Sequence, residues 1–164
     1  MTLTTHIAIA AALAKPLLKT HPVLAFCIAL ASHYLSDAIP HWDYSISSLG
    51  DEENLEKREW KFRGNTFWRD FSHFAFDGFL GAGILFLIVR PTSWHDFLLW
   101  SGVIIGGCLP DFLQGVYYTR KAEFLKPHSR FHNWIHSKIK LGPYPLIGIP
   151  FQLVILFISL RFLV

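Results

Sequence analysis

Cysteine is scarce in this sequence: Cys27 and Cys108 are the only two, each alone in an apolar stretch with no CxxC spacing. Both read as buried, inert thiols, and their spacing argues against a structural zinc site of the thiolate type. Charge is also sparse, at 16% of residues with a net charge of +3. The basic residues sit in loops rather than in one basic face, so no nucleic-acid partner is expected. The N-terminus lacks a basic region ahead of an apolar core and cleavage site, so no removable signal peptide is expected.

What the chain has in quantity is apolar surface. Of 164 residues, 52% are hydrophobic and 16% aromatic, with a mean hydropathy of +0.34. These values place it among integral membrane proteins, as one domain over residues 1–164. Nine histidines are many for this length. The expected fold class is all-α, a polytopic membrane helix bundle of about four to five spans plus an interfacial helix.

The stretch SHYLSDAIPHWDY, residues 32–44, organises the reading. His33 and Asp37 are spaced i, i+4 and share a helix face. Pro40 disfavours further helix at Ile39, which lets His41 and Asp43 turn back toward that face. Ahead of it, residues 4–19 form a short interrupted helix, with Thr4 or Thr5 as its cap, His6 in its first turn and a hairpin at residues 20–22. Residues 45–66 are a charged cytoplasmic loop in which DEENLEKREWKFR, residues 51–63, holds nine charged residues in thirteen. Such a run is expected to be solvated and to carry no catalysis.

Residues 67–89 form the third helix, with Asp70, His73 and Asp77 at i, i+3 and i+7 in one stripe. Residues 92–118 form the fourth, with Pro110 beside Asp111. HSRFHNWIHSK then places His132 and His136 at i, i+4 on an amphipathic helix that Phe131, Trp134 and Ile135 can rest in the interface. Residues 145–163 are long enough to span.

Antiparallel threading brings these groups to one membrane face. If the second helix ends there, the third starts there, the fourth returns there, and His132 and His136 follow. The candidate metal ligands are therefore His6, His33, Asp37, His41, Asp70, His73, Asp111, His132 and His136. Eleven of the fifteen Lys and Arg residues lie in loops 41–69 and 119–144, which by the positive-inside rule makes that face cytoplasmic.

Ionisable groups at membrane depth cost about 2.5–3.5 kcal/mol each on insertion scales. A divalent cation compensates them, because imidazoles and carboxylates are its natural ligands. Zn is the first expectation, with Mn or Fe next, as one or two ions. Two ions would activate a water for attack on a phosphoryl or acyl centre, with Asp43 or Asp77 orienting or deprotonating it. Arg69 and Arg130 are placed to hold a phosphate oxygen.

Several of these elements together carry a resemblance. Thr5 with His6, Pro40 to Asp43, Arg69 with Ser72 and His73, Leu109 to Asp111, and His132 to Ser137 resemble the membrane-bound metal-dependent hydrolase family, described as LexA-binding, inner-membrane-associated hydrolases. The chain departs from that pattern where Pro-His-Trp-Asp stands for Pro-Asp-x-Asp and where Asn133 stands for Arg. The resemblance implies a small multi-span protein of a bacterial or archaeal inner membrane with a metal site. HYLSDAIPH also resembles the His-x-x-x-Asp helix of zinc-dependent phospholipase C and P1-type nucleases, an analogy of chemistry.

The expectation is thus a metal-dependent membrane hydrolase acting on a phosphoester of a lipid or membrane-associated substrate, with membrane lipids as partners. The rival is a non-catalytic membrane protein or divalent-metal carrier whose polar cluster packs helices. A carrier should place ionisable groups through the membrane depth, and residues 78–89 hold none.

Overall fold

Alanine and glycine decide how this chain packs. The first helix, α1 (Leu3–Ala14), carries Ala8, Ala10, Ala11 and Ala14, all buried. Side chains this small let neighbouring backbones approach closely, as interfaces between apolar helices require. The helix packs against α2 (Pro22–Asp37), α3 (Asn65–Val89), α4 (Trp94–Arg120) and α6 (Pro145–Arg161), so it stands at the centre of the bundle. The remaining helix, α5 (Lys126–Ile135), lies on α4 and α2. The computed structural model describes residues 1–50, 58–60 and 64–164, and most of the charged run 51–63 lies outside the described residues.

Glycines on the partner helices complete these contacts. A Cβ on Gly81 would stand 2.8 Å from Thr4 Cα, and one on Gly107 would stand 3.0 Å from Ala10 Cβ. Gly106 is held likewise against Ala29. Replacing Gly107 by valine overpacks the α1–α4 contact and should lower stability by about 1–3 kcal/mol. A thermal melt in detergent checks this.

The fold is all-helical among the described residues, with isolated bridges but no strand. Two helices, α3 and α4, are long and apolar enough to cross a membrane. Only 11% and 28% of their apolar windows are buried inside the protein, so neither is an ordinary core helix. Phe79 and Leu87 on α3 and Ile105 and Phe112 on α4 point outward. The other apolar helices, including α6 with exposed Leu146 and Phe157, are shorter than about 20 residues.

Boundaries shift in informative ways. Helix α1 begins at Leu3, so Thr4 and Thr5 lie inside its first turn, and the Thr2 side chain makes no capping bond. The cap comes from α3 instead: Asp77 accepts from the Leu3 and Thr4 backbone nitrogens at 2.6 and 3.2 Å and from Thr4 Oγ1 at 2.6 Å. Helix α4 runs through Pro110 to Arg120. Helix α5 stops at Ile135, and His136 leaves it in extended conformation.

Candidate metal centre

The end of α2 delivers the central group. Ser32, His33, Ser36 and Asp37 are all buried on the face that meets α1 and α4. Asp37 is 1% exposed, and imidazoles approach both of its oxygens. His6 Nε2 lies 3.2 Å and His41 Nε2 3.6 Å from Oδ1. On the other side, His33 Nε2 at 3.2 Å and His132 Nε2 at 3.0 Å face Oδ2. Asp111 adds an oxygen 3.6 Å from His33 and 3.8 Å from His132.

Backbone bonds hold the loops in register. The Ser137 N–H donates to the Asp37 carbonyl at 2.7 Å and the Leu141 N–H to the His41 carbonyl at 3.2 Å. These ties pin the exit of α5 to the exit of α2, bringing the His41 and His136 rings to 4.8 Å between centroids. Two groups result, His33, Asp37, Asp111 and His132 on one side and Asp37, His41 and His136 on the other. They share Asp37, and either could hold a metal ion.

Second partners of the rings fix which nitrogen faces inward. His33 Nδ1 donates to the Gly107 carbonyl at 2.7 Å, and His41 Nδ1 to the Ile39 carbonyl at 2.6 Å. His6 Nδ1 lies 3.0 Å from Ser36 Oγ, whose own hydrogen goes to the His33 carbonyl at 2.8 Å. The Ser36 oxygen is therefore an acceptor for His6. In the neutral rings each Nε2 then carries a lone pair, aimed at a carboxylate oxygen that also has only lone pairs. His6 Nε2 and His33 Nε2 are buried without a hydrogen-bond partner. Burying lone pairs face to face is unfavourable unless a proton or a metal cation stands between them.

The Ser36 hydroxyl and the Gly107 carbonyl are outer partners that the sequence reading did not include. Ser36→Ala frees His6 Nδ1 and should weaken metal binding about 10–100-fold, the usual effect of losing such a partner. Titration against a chromophoric chelator checks this.

His136 is set differently. Lys140 Nζ donates to its Nδ1 at 2.8 Å, which turns Nε2–H toward Asp43 Oδ2, 4.0 Å away. Burial lowers the His136 pKa to about 4, so the ring is neutral at pH 7. Asp43 Oδ2 is 3.0 Å from His41 Nε2. The Met1 nitrogen lies 2.8 Å from Asp43 Oδ1 and 3.1 Å from Asp37 Oδ1.

The α3 residues lie outside this group. Asp77 caps α1. Asp70 accepts from the Ser48 nitrogen and hydroxyl, both at 2.7 Å, and so ties the loop to α3. His73 is exposed, with its ring 6.5 Å from that of Tyr44. Arg69 donates to Ser47 Oγ at 2.7 Å and pairs with Asp70 at 3.4 Å. Among the described residues, Arg58, Lys138 and Lys140 line the cavity beside this group, together with Met1. That cavity, about 600 Å³, also reaches Asp43, Asp111, His132 and His136.

Comparison of the chain with protein-family models, with curated proteins and with solved structures finds no match in any of the three. Any functional reading therefore stands on the residues themselves.

Proposed function

We propose that this chain is a metal-dependent hydrolase of a membrane, acting on a phosphoester at a two-ion site bridged by Asp37. The observation that carries the reading is the set of Nε2 atoms aimed at both oxygens of one buried carboxylate. Hydrogen bonds at His6, His33 and His41 occupy Nδ1 and aim each Nε2 at Asp37, as in rings that ligate a metal. His33, His132 and Asp111 would hold one ion and His41 the other, with His6 beside it; His136 would join the second ion only where Lys140 releases its Nδ1. Zn is the first expectation for such a nitrogen and oxygen set, with Mn or Fe next.

Bound there, the ions would supply an acidified water and neutralise the charge developing on the phosphoryl oxygens. The chain's own groups do the rest. Asp43 orients and deprotonates the water from the wall of the polar cavity. Lys140, Lys138 and Arg58 draw the anionic substrate in and hold its oxygens. The outward apolar faces of α3 and α4 keep the protein in the bilayer, and the Lys and Arg bias of the site loops turns this face to the cytoplasm.

The test is hydrolysis of p-nitrophenyl and alkyl phosphate esters by detergent-purified protein loaded with Zn, Mn or Fe in turn. Turnover with at least one ion, abolished by chelation and restored by that ion, is the expected result. No turnover with any of them would reject the hydrolase reading.

A further inference from the structure

A second cavity adjoins the polar one, and its chemistry is the opposite. It measures about 380 Å³, within the range of small-molecule sites, and its walls are almost wholly apolar. Phe67, Phe71 and Phe74 line it from α3 at i, i+4 and i+7. Cys108, Phe112 and Val116 line it from α4 at i, i+4 and i+8. Each set is one helical stripe, and the two stripes face each other across the gap. Helices α3 and α4 do meet near their connection, where Phe86 stacks on Phe97 at 5.0 Å, so the gap belongs to the site end.

The gap runs from the interior to the outer surface. Phe67 is 2% exposed, whereas Phe71 and Phe112 at the rim are 47% and 66% exposed on the outward faces of their helices. The inner end meets the metal group directly, because Asp111, Gln114, Tyr118 and Phe74 line both cavities. Asp111 is itself one of the candidate ligands, 3.6 Å from His33. The hydrocarbon environment therefore begins within one side chain of the candidate metal group, with Arg58, Lys138 and Lys140 lining the polar cavity.

From this juxtaposition we infer that the apolar cavity is a slot for the hydrocarbon chain of the substrate, entered sideways from the bilayer between Phe71 and Phe112. The inference rests on the hydrolase reading for the role of the polar cavity and adds the substrate class. That class is an amphiphile whose alkyl or prenyl chain is attached directly to the phosphate. A lipid with a glycerol between phosphate and chain would carry its ester oxygens past Gln114 and Tyr118 at the junction into a slot whose walls are almost wholly apolar. A soluble phosphoester would leave the slot unfilled and forgo its burial.

The test uses dodecyl phosphate carrying a diazirine at the end of its chain, photolysed on the full-length wild-type protein in bilayer nanodiscs, with the labelled peptides mapped by mass spectrometry. The expected labels fall on the walls around Phe67, Phe74 and Val116. An excess of unmodified dodecyl phosphate should suppress them at least tenfold, and glycerol 3-phosphate or a lysophosphatidic acid at equal concentration should not. Val116→Trp, which fills the slot, should cut the wall labels at least tenfold, with Thr119→Trp, also on the wall, as the second variant should the first fail to fold. Metal content should hold in the variant that folds.

The same map in Asp37→Asn separates the two readings. Wall labels in a protein that holds no metal and turns over nothing would uphold the slot and reject the hydrolase. Labels confined to outward residues such as Phe79 and Leu87 would overturn the slot and leave the metal reading standing. Equal competition by lysophosphatidic acid would keep the slot and overturn the direct-attachment rule that defines the class.

Discussion

Asp37→Asn should remove both ions together and lower phosphoester turnover by at least a thousandfold. The reason is geometric. Asp37 Oδ1 and Oδ2 each face two imidazole nitrogens at 3.0–3.6 Å, so its carboxylate belongs to both metal groups. An asparagine keeps the size but loses the charge and turns an N–H₂ toward one pair of rings, where it can donate to them but cannot bind a cation. Substituting a ligand of one group alone should act differently. His132→Ala should lose one equivalent and His41→Ala the other. Elemental mass spectrometry of each purified variant reads the stoichiometry. Loss of one ion only in Asp37→Asn would show that the carboxylate does not bridge.

The second large effect concerns folding. Asp77→Ala should destabilise the protein by about 2–4 kcal/mol, because it leaves the Leu3 and Thr4 nitrogens without their acceptor and the Thr4 hydroxyl with only the residue-77 carbonyl. The carboxylate also sits at a helix N-terminus, where negative charge is favourable. Asp77→Asn keeps one acceptor oxygen and should recover part of the loss. Thermal melts of the two variants beside the wild type measure the difference. Were Asp77 instead the base that deprotonates water, Asp77→Asn would melt like the wild type and lose turnover. The structure favours the capping role, since all three partners come from α1.

Much of the metal group was legible in the order of the residues. His33 and Asp37 at i, i+4 had to share a face, and Pro40 had to end the helix close enough for His41 to return. Asp111 and His132 followed from antiparallel threading, which needs only the number of apolar segments. The same logic failed to separate Asp70, His73 and Asp77 from the group, because a helix stripe shows which residues face together and not what they face. Helix α3 packs chiefly on α1, so its acids meet the start of α1 and the loop at Ser48. His73, rotated about 60° from Asp70 on a 3.6-residue helix, points away.

The outer partners were less accessible still. The Gly107 carbonyl is a backbone group, invisible in a residue code, and its use depends on how far α4 slides along α2. Ser36 carried a faint signal, three residues after His33 and hence near its face, but its link to His6 needs the register of α1 against α2. That register is set by Ala10 against Gly107 and Ala29 against Gly106, contacts of small residues that composition alone does not order. The helix count followed apolar length correctly for α3 and α4. Helix α6 ends at Arg161 after 17 residues, two short of the expected stretch.

The decisive measurement is metal content by elemental mass spectrometry, on wild-type protein purified in detergent without exposure to a nickel column. Up to two equivalents of Zn, Mn or Fe are expected, removed by chelation and regained on adding the same ion. Protein that holds none, and takes up none when each ion is supplied, would contradict the metal reading and leave the imidazoles around Asp37 as a charged packing cluster.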